Sequence, residues 1–291
     1  MTEDNEDAAD RAPPWLFAVT KWDAVPALLG LGHFAFVVLL VLAFPGLSWG
    51  AFLTLALLYA VAIAWNIHSV SHNLIHNPFF GMAALNRAYS LLVSLTISHP
   101  QTVIRHIHLR HHIGNMDRPN DKGETRDLIS IYRYGLDGQP ETVWRYSLLS
   151  IVRTEPFRLL PAITLISKAE ARWARAELFA VGLSLAAATA WDWRVVPTLL
   201  PFWLLGHMLS AFIGYYEHLG ADPKRPIAWG VSSYGRLYNL MWLNNGYHAE
   251  HHFRTKVHWT RMKELHRQIA EQQVVAGTKV LVWPHPLGFL G

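Results

Sequence analysis

Seventeen histidines stand in a chain of 291 residues that contains no cysteine, and three groups of them are spaced for shared coordination. The run NIHSVSHNLIHNP places His68, His72 and His76 at i, i+4 and i+8. RHIHLRHHIGN places His108, His111 and His112 at i, i+3 and i+4, and NNGYHAEHHF repeats that spacing with His248, His251 and His252. Residues three and four apart share a helix face, so each group can aim its imidazoles at one point. Neutral imidazoles that converge are the commonest protein ligands for transition metals. The missing cysteine excludes disulfide frameworks, Cys-based zinc sites, thiolate iron–sulfur clusters and cysteine nucleophiles, leaving nitrogen and oxygen donors. His33, His99, His106, His258, His266 and His285 match no such spacing and are expected to be structural. His207 is expected to be a buried, hydrogen-bonded residue or part of a substrate wall.

The elements that must position these groups are apolar. The chain is 52% hydrophobic and only 16% charged, against about a quarter charged in an ordinary soluble domain. A membrane-spanning helix needs about 20 apolar residues, and segments 25–47, 49–67 and 195–216 qualify, with 176–191 marginal. These read as two hairpins, turning near 48 and at Trp191–Arg194. Two hairpins return the chain to its starting side, so the three histidine groups share one compartment. Lys and Arg number two before the first span, thirteen between the hairpins and nine after the last, while the short turns hold only Arg194. That bias predicts cytoplasmic large segments and termini. Segment 79–98, interrupted by Asn86 and Arg87, is expected to be interfacial or re-entrant. Segment 146–167, with Pro156 and Pro161, is expected to lie along the membrane surface.

The fold expected is therefore all-α and integral to the membrane: four transmembrane helices in two hairpins with a cytoplasmic helical cap carrying the histidines. Residues 1–14, which hold five acids, read as a disordered tail without a signal-peptide layout, and 15–291 as a single domain. Basic residues flank apolar segments and form no separate basic domain, which fits anionic lipid and not nucleic acid. No repeat and no low-complexity tract is visible.

HxxxH, HxxHH and HxxHH in this order, interleaved with two hairpins, resemble the histidine boxes of the membrane fatty acid desaturase/hydroxylase superfamily of non-haem di-iron enzymes. The likeness runs from about residue 25 to 270 and is most specific in NNGYHAEHHFRTKVHW, which is similar to the third box of bacterial acyl-lipid desaturases. Carried over by position, the resemblance implies metal ligands at His68 and His72, at His108, His111 and His112, and at His248, His251 and His252. A further histidine near the end of the last span, His218 in GYYEHLGAD, completes nine. His76 continues the face of the first box and is not counted among them.

Nine imidazoles exceed the capacity of one ion, so at least two are implied. Imidazole serves iron, copper and zinc alike. Zinc has no redox chemistry, whereas the resemblance implies two iron ions that activate O2 against an unactivated C–H bond of a lipid-dissolved substrate. The expected activity is that of a fatty acyl or lipid desaturase in the bacterial inner membrane, with a hydroxylase or carotenoid ketolase as the alternative on the same scaffold. A metal transporter, the reading from another class, calls for midplane ligands and repeated halves. Gly30 and Gly32 form a GxG inside a span and no nicotinamide or flavin fingerprint follows, so electrons are expected from a separate ferredoxin or cytochrome with its reductase. The second nitrogens of the ligands need orienting partners, for which Asn73, Asn115, Asp117, Asp121, Asn244, Asn245 and Glu250 lie near in sequence. Glu217 and Asp222 are expected to be loop caps.

Overall fold

The computed structural model describes residues 16–114, 125 and 127–291. The expected acidic tail and the candidates Asn115, Asp117 and Asp121 lie outside them. Every named element among the described residues is helical, and the only strand-like features there are two isolated bridges.

Thr20 and Asp23 start the first helix with a capping box, and α1 (Ala24–Ala43) follows without a charged residue. The 3-10 turn Phe44–Gly46 carries Pro45, and Ser48 caps α2 (Trp49–Asn66) by accepting from the Ala51 amide. A π-turn, Ile67–Ser71, joins α2 to α3 (His72–His76) without a break in the helix. Next come α4 (Ala83–Ile97) and α5 (Gln101–Gly114), the latter carrying the second histidine group.

Segment 146–167 forms two helices, α6 (Val143–Arg153) and α7 (Pro156–Ile166), parted where Glu155 caps the amides of Phe157 and Arg158. Trp144, Leu148 and Val152 on α6, and Phe157, Leu165 and Ile166 on α7, are exposed. That amphipathic layout suits helices lying on a membrane surface. The second hairpin is α8 (Lys168–Trp191) and α9 (Val195–His218), and beyond it lie α10 (Arg236–Met241), α11 (His248–Phe253) and α12 (Met262–Ala276).

Among the described residues three helices are long and apolar enough to cross a membrane: Lys21–Gly46, Trp49–His76 and Val195–His218. The expected fourth, α8, is 24 residues long, but its first ten include Lys168, Glu170, Arg172, Arg175 and Glu177. About 14 apolar residues remain, roughly 21 Å of helix against a hydrocarbon core of about 30 Å. Those charges have work on the site's side of the molecule. Glu170 pairs with Arg87 and Arg105, and the fully buried Glu177 accepts from Ser90 Oγ at 2.6 Å and from the Thr102 amide at 2.8 Å. A carboxylate on the first-turn amide of α5 fixes where that helix starts.

The α2–α3 run of 28 residues extends about 42 Å, beyond the hydrocarbon, so its histidine end projects past the core. α2 and α9 pack closely through Gly206, where an added Cβ would stand 2.8 Å from the Ala60 carbonyl oxygen. Small residues permit such an approach between membrane helices. The start of α1 is tied to the same end of the molecule, because buried Asp23 meets His258 Nε2 at 2.9 Å.

Candidate metal centre

The backbone between His68 and His72 decides which imidazoles converge. On an unbroken α-helix His68, His72 and His76 share one face, but the five residues Ile67–Ser71 form a π-turn, whose i→i+5 bonding adds a residue to the turn. Ser69 Oγ donates to the Trp65 carbonyl at 2.6 Å and Ser71 Oγ to Gln101 Oε1 at 2.7 Å, bracing the widened turn. His68 is thereby rotated away from His72 and His76. Its Nε2 donates to the Ser210 carbonyl at 2.9 Å and its Nδ1 faces Glu217 Oε1 at 3.1 Å. Both nitrogens are engaged, and the structure does not bring His68 to the other imidazoles.

His76 takes the vacated place. Its Nε2 lies 2.7 Å from that of His108, His108 lies 3.0 Å from His112, His112 lies 3.1 Å from His251, and His251 lies 3.1 Å from His72. A second group adjoins the first. His111 Nε2 stands 3.1 Å from His218 and 3.3 Å from His252, and His218 stands 3.1 Å from His248. The rings of His112 and His252, one from each group, have centroids 4.4 Å apart. The two HxxHH helices are cross-wired: α5 gives His108 and His112 to the first group and His111 to the second, while α11 gives His251 to the first and His248 and His252 to the second.

The spacing fits metal ligation. Nitrogens about 2.1 Å from one ion stand about 3.0 Å apart at right angles and about 3.4 Å apart in a tetrahedron, and the observed separations fall around those values. Burial, reinforced by the neighbouring imidazoles, holds His108, His112, His251 and His252 well below the usual histidine range. Burial does the same for His248 against the opposing pull of Glu217. Neutral rings offer lone pairs, which is the form a metal binds.

A cavity of about 170 Å³ opens beside both groups, lined by His72, His108, His111, His218 and His248 and by a set of isoleucines. It abuts a larger apolar cavity of about 720 Å³ between α1, α8 and α9, within the size range of small-molecule pockets.

A family model described as fatty acid desaturase matches residues 47–282. The chain belongs to the fatty acid desaturase family. A sphingolipid delta(4)-desaturase DES1-like protein of Oryza sativa subsp. japonica is 25% identical over 237 residues, covering 77% of this chain. The chain spans 66% of that relative's length. No solved structure matches it.

In this desaturase-family chain the orienting groups are mostly not those nearest in sequence. Asp127, fully buried, meets His111 Nδ1 at 2.7 Å and accepts from the Ile129 amide at 2.9 Å. Burial works against the Asp127 charge, but His111 outweighs it and holds the carboxyl below its usual range. No local spacing marks Asp127, which lies 16 residues beyond its partner His111. Glu217 is a buried hub and not a loop cap: it faces His68, accepts from Asn245 at 2.7 Å and stands 3.9 Å from His248 Nδ1. Glu250 accepts from Tyr234, Ser232 and His266 and so anchors α11, while Asn73 and Asn244 bond backbone carbonyls. Asp222 caps its own loop through the Lys224 amide. Of the histidines expected to be structural, His285 is held by Tyr238 Oη and the Val231 carbonyl, and His207 bonds the Ile97 carbonyl.

Proposed function

We propose that the protein is an O2-dependent di-iron oxidase of the membrane that desaturates a fatty acyl or lipid chain. The reading is carried by nine imidazoles in two adjoining groups beside an apolar cavity. His72, His76, His108, His112 and His251 would hold one iron, and His111, His218, His248 and His252 the other. Bound there, two irons supply reductive activation of O2, with electrons from a separate ferredoxin or cytochrome partner.

The chain's own contribution is placement and exclusion of water. Asp127 holds the His111 ring with Nε2 toward the second group, and Glu217, paired with His68, backs His248. The isoleucines around the smaller cavity keep a hydrocarbon chain beside the imidazoles and hold bulk water away. The larger cavity would take the rest of the chain from the lipid phase. The lysine and arginine bias supports a site on the cytoplasmic face.

Expression in a host with a compatible reductase, followed by metal analysis and lipid and pigment profiling, tests this, with His111→Ala as control. The expected result is two irons per chain and a new C=C absent from the control. An alcohol or ketone product would instead assign the hydroxylase or ketolase alternative. A single zinc, with identical products from both proteins, would refute the oxidase.

A further inference from the structure

Beyond the last span, two short elements turn apolar side chains outward. On α10, Leu237, Leu240 and Met241 are 69%, 76% and 51% exposed, while Tyr238 and Asn239 between them are buried. On the closing 3-10 turns, His285–Leu290, the side chains of Phe289 and Leu290 are exposed, and His285 and Gly288 are buried. Each element therefore has one face packed on the protein and one apolar face outside it. Tyr238 Oη meets His285 Nδ1 at 2.9 Å, which ties the two elements together.

The spans set the height of both. Exposed Trp49 opens α2, and exposed Trp193 with the Asp192–Arg194 ion pair precedes α9, marking the far membrane boundary. Trp65, whose Nε1 donates to the Met241 carbonyl at 2.8 Å, stands about 24 Å of helix beyond Trp49. Phe212, whose ring centroid lies 6.1 Å from that of Phe289, stands about 26 Å beyond Val195. The hydrocarbon core is about 30 Å thick. Both contacts thus fall inside it or at its near edge, and any tilt of the spans lowers them further. Trp144 of α6 packs on the same Phe212 ring at 5.8 Å and shares that height. Arg236, exposed at the start of α10, is long enough to carry its charge up to the headgroups.

We infer that α10 and the turns His285–Leu290 are immersed in the leaflet on the metal centre's side, with the acyl chains of the bilayer as their partner. α10 leads directly into Asn244, Asn245 and His248, and His285 stands 4.0 Å from Glu217. The third histidine group is therefore held between two lipid-anchored elements. The inference rests on the spans and not on the reaction.

The chain has no cysteine, so Leu237→Cys, Leu240→Cys, Phe289→Cys and Leu290→Cys can each carry a single nitroxide. With the protein in phosphatidylcholine/phosphatidylglycerol nanodiscs, power-saturation EPR compares collisions with O2, which concentrates in lipid, and with a nickel chelate, which stays in water. Leu57→Cys, at an exposed position of α2, is the lipid control, and Gln268→Cys, at an exposed position of α12, is the water control. All four positions should favour O2, at a depth of about 5–10 Å below the headgroup boundary. A preference for the nickel chelate at either element overturns the inference. Protection from both colliders overturns it too, because protein, such as a second copy of the chain, then covers the face. A nickel preference at Leu57→Cys would remove the span itself. Two positions per element keep the result readable where one substitution impairs folding.

Discussion

Replacing His76 and His68 in turn by alanine separates metal ligation from ion pairing. His76 is partly exposed, and its Nε2 lies 2.7 Å from that of His108 inside the first group. His76→Ala removes one of five donors there, so iron should fall from two per chain toward one while the metal-stripped protein keeps its melting temperature. His68 has the opposite profile. Its loss leaves Glu217, 4% exposed, with the Asn245 amide at 2.7 Å as its remaining close donor. An uncompensated buried carboxylate costs about 3–5 kcal/mol, or on the order of 10 °C in melting temperature for a domain of this size. Iron in the folded fraction of His68→Ala should stay near two per chain. Inductively coupled plasma analysis of detergent-purified protein gives the stoichiometry, and scanning fluorimetry after chelation gives the stability. If His68→Ala loses an iron with an unchanged stripped melting temperature while His76→Ala keeps both, the register assigned to the π-turn is refuted.

Three further outcomes follow from the geometry. Asp127→Ala, which frees the His111 ring, should weaken metal binding by about 10- to 100-fold, measured by chelator competition, with Asp127→Asn milder because its amide oxygen still accepts. Gly206→Ala places a Cβ 2.8 Å from both the Ala60 carbonyl oxygen and Ile63 Cβ, forcing α2 and α9 apart at a cost of about 1–3 kcal/mol, read as a lower melting temperature. His99 binds a proton below pH 6.5 when unfolded but only near pH 4 when folded. Stability should therefore fall as the pH is lowered from 6.5 to about 4, by about 1.4 kcal/mol per unit, and His99→Gln should remove that increment from the wild-type pH profile.

The membrane helices and most of the centre were legible because their signals are local. Segment 195–216 lies within the helix Val195–His218, and both HxxHH runs form helices whose i, i+4 pairs, His108 with His112 and His248 with His252, each stay in one group. His218 is legible only through the resemblance, which calls for a histidine near the end of the last span. The first box was ambiguous in principle: His68/His72 and His72/His76 satisfy HxxxH equally, and only the π-turn, braced by Ser69 and by Gln101 from α5, chooses between them. Asp127 and Glu217 were obscure for a related reason. Each meets its histidine across a separation that no helical period encodes, 149 residues for Glu217 and His68. The fourth expected span is the least legible, because at α8 the apolar residues 178–191 follow turns whose charges seat α5.

The last residues of the chain are part of the centre's foundation. Leu281 donates its amide to the Ser232 carbonyl, His285 lies 4.0 Å from Glu217, and Gly288 packs so closely on Tyr216 that an added Cβ would sit 2.5 Å from the ring. A change in this C-terminal segment therefore reaches His248 at second hand, through His285 and Glu217, even though none of its residues stands among the nine imidazoles.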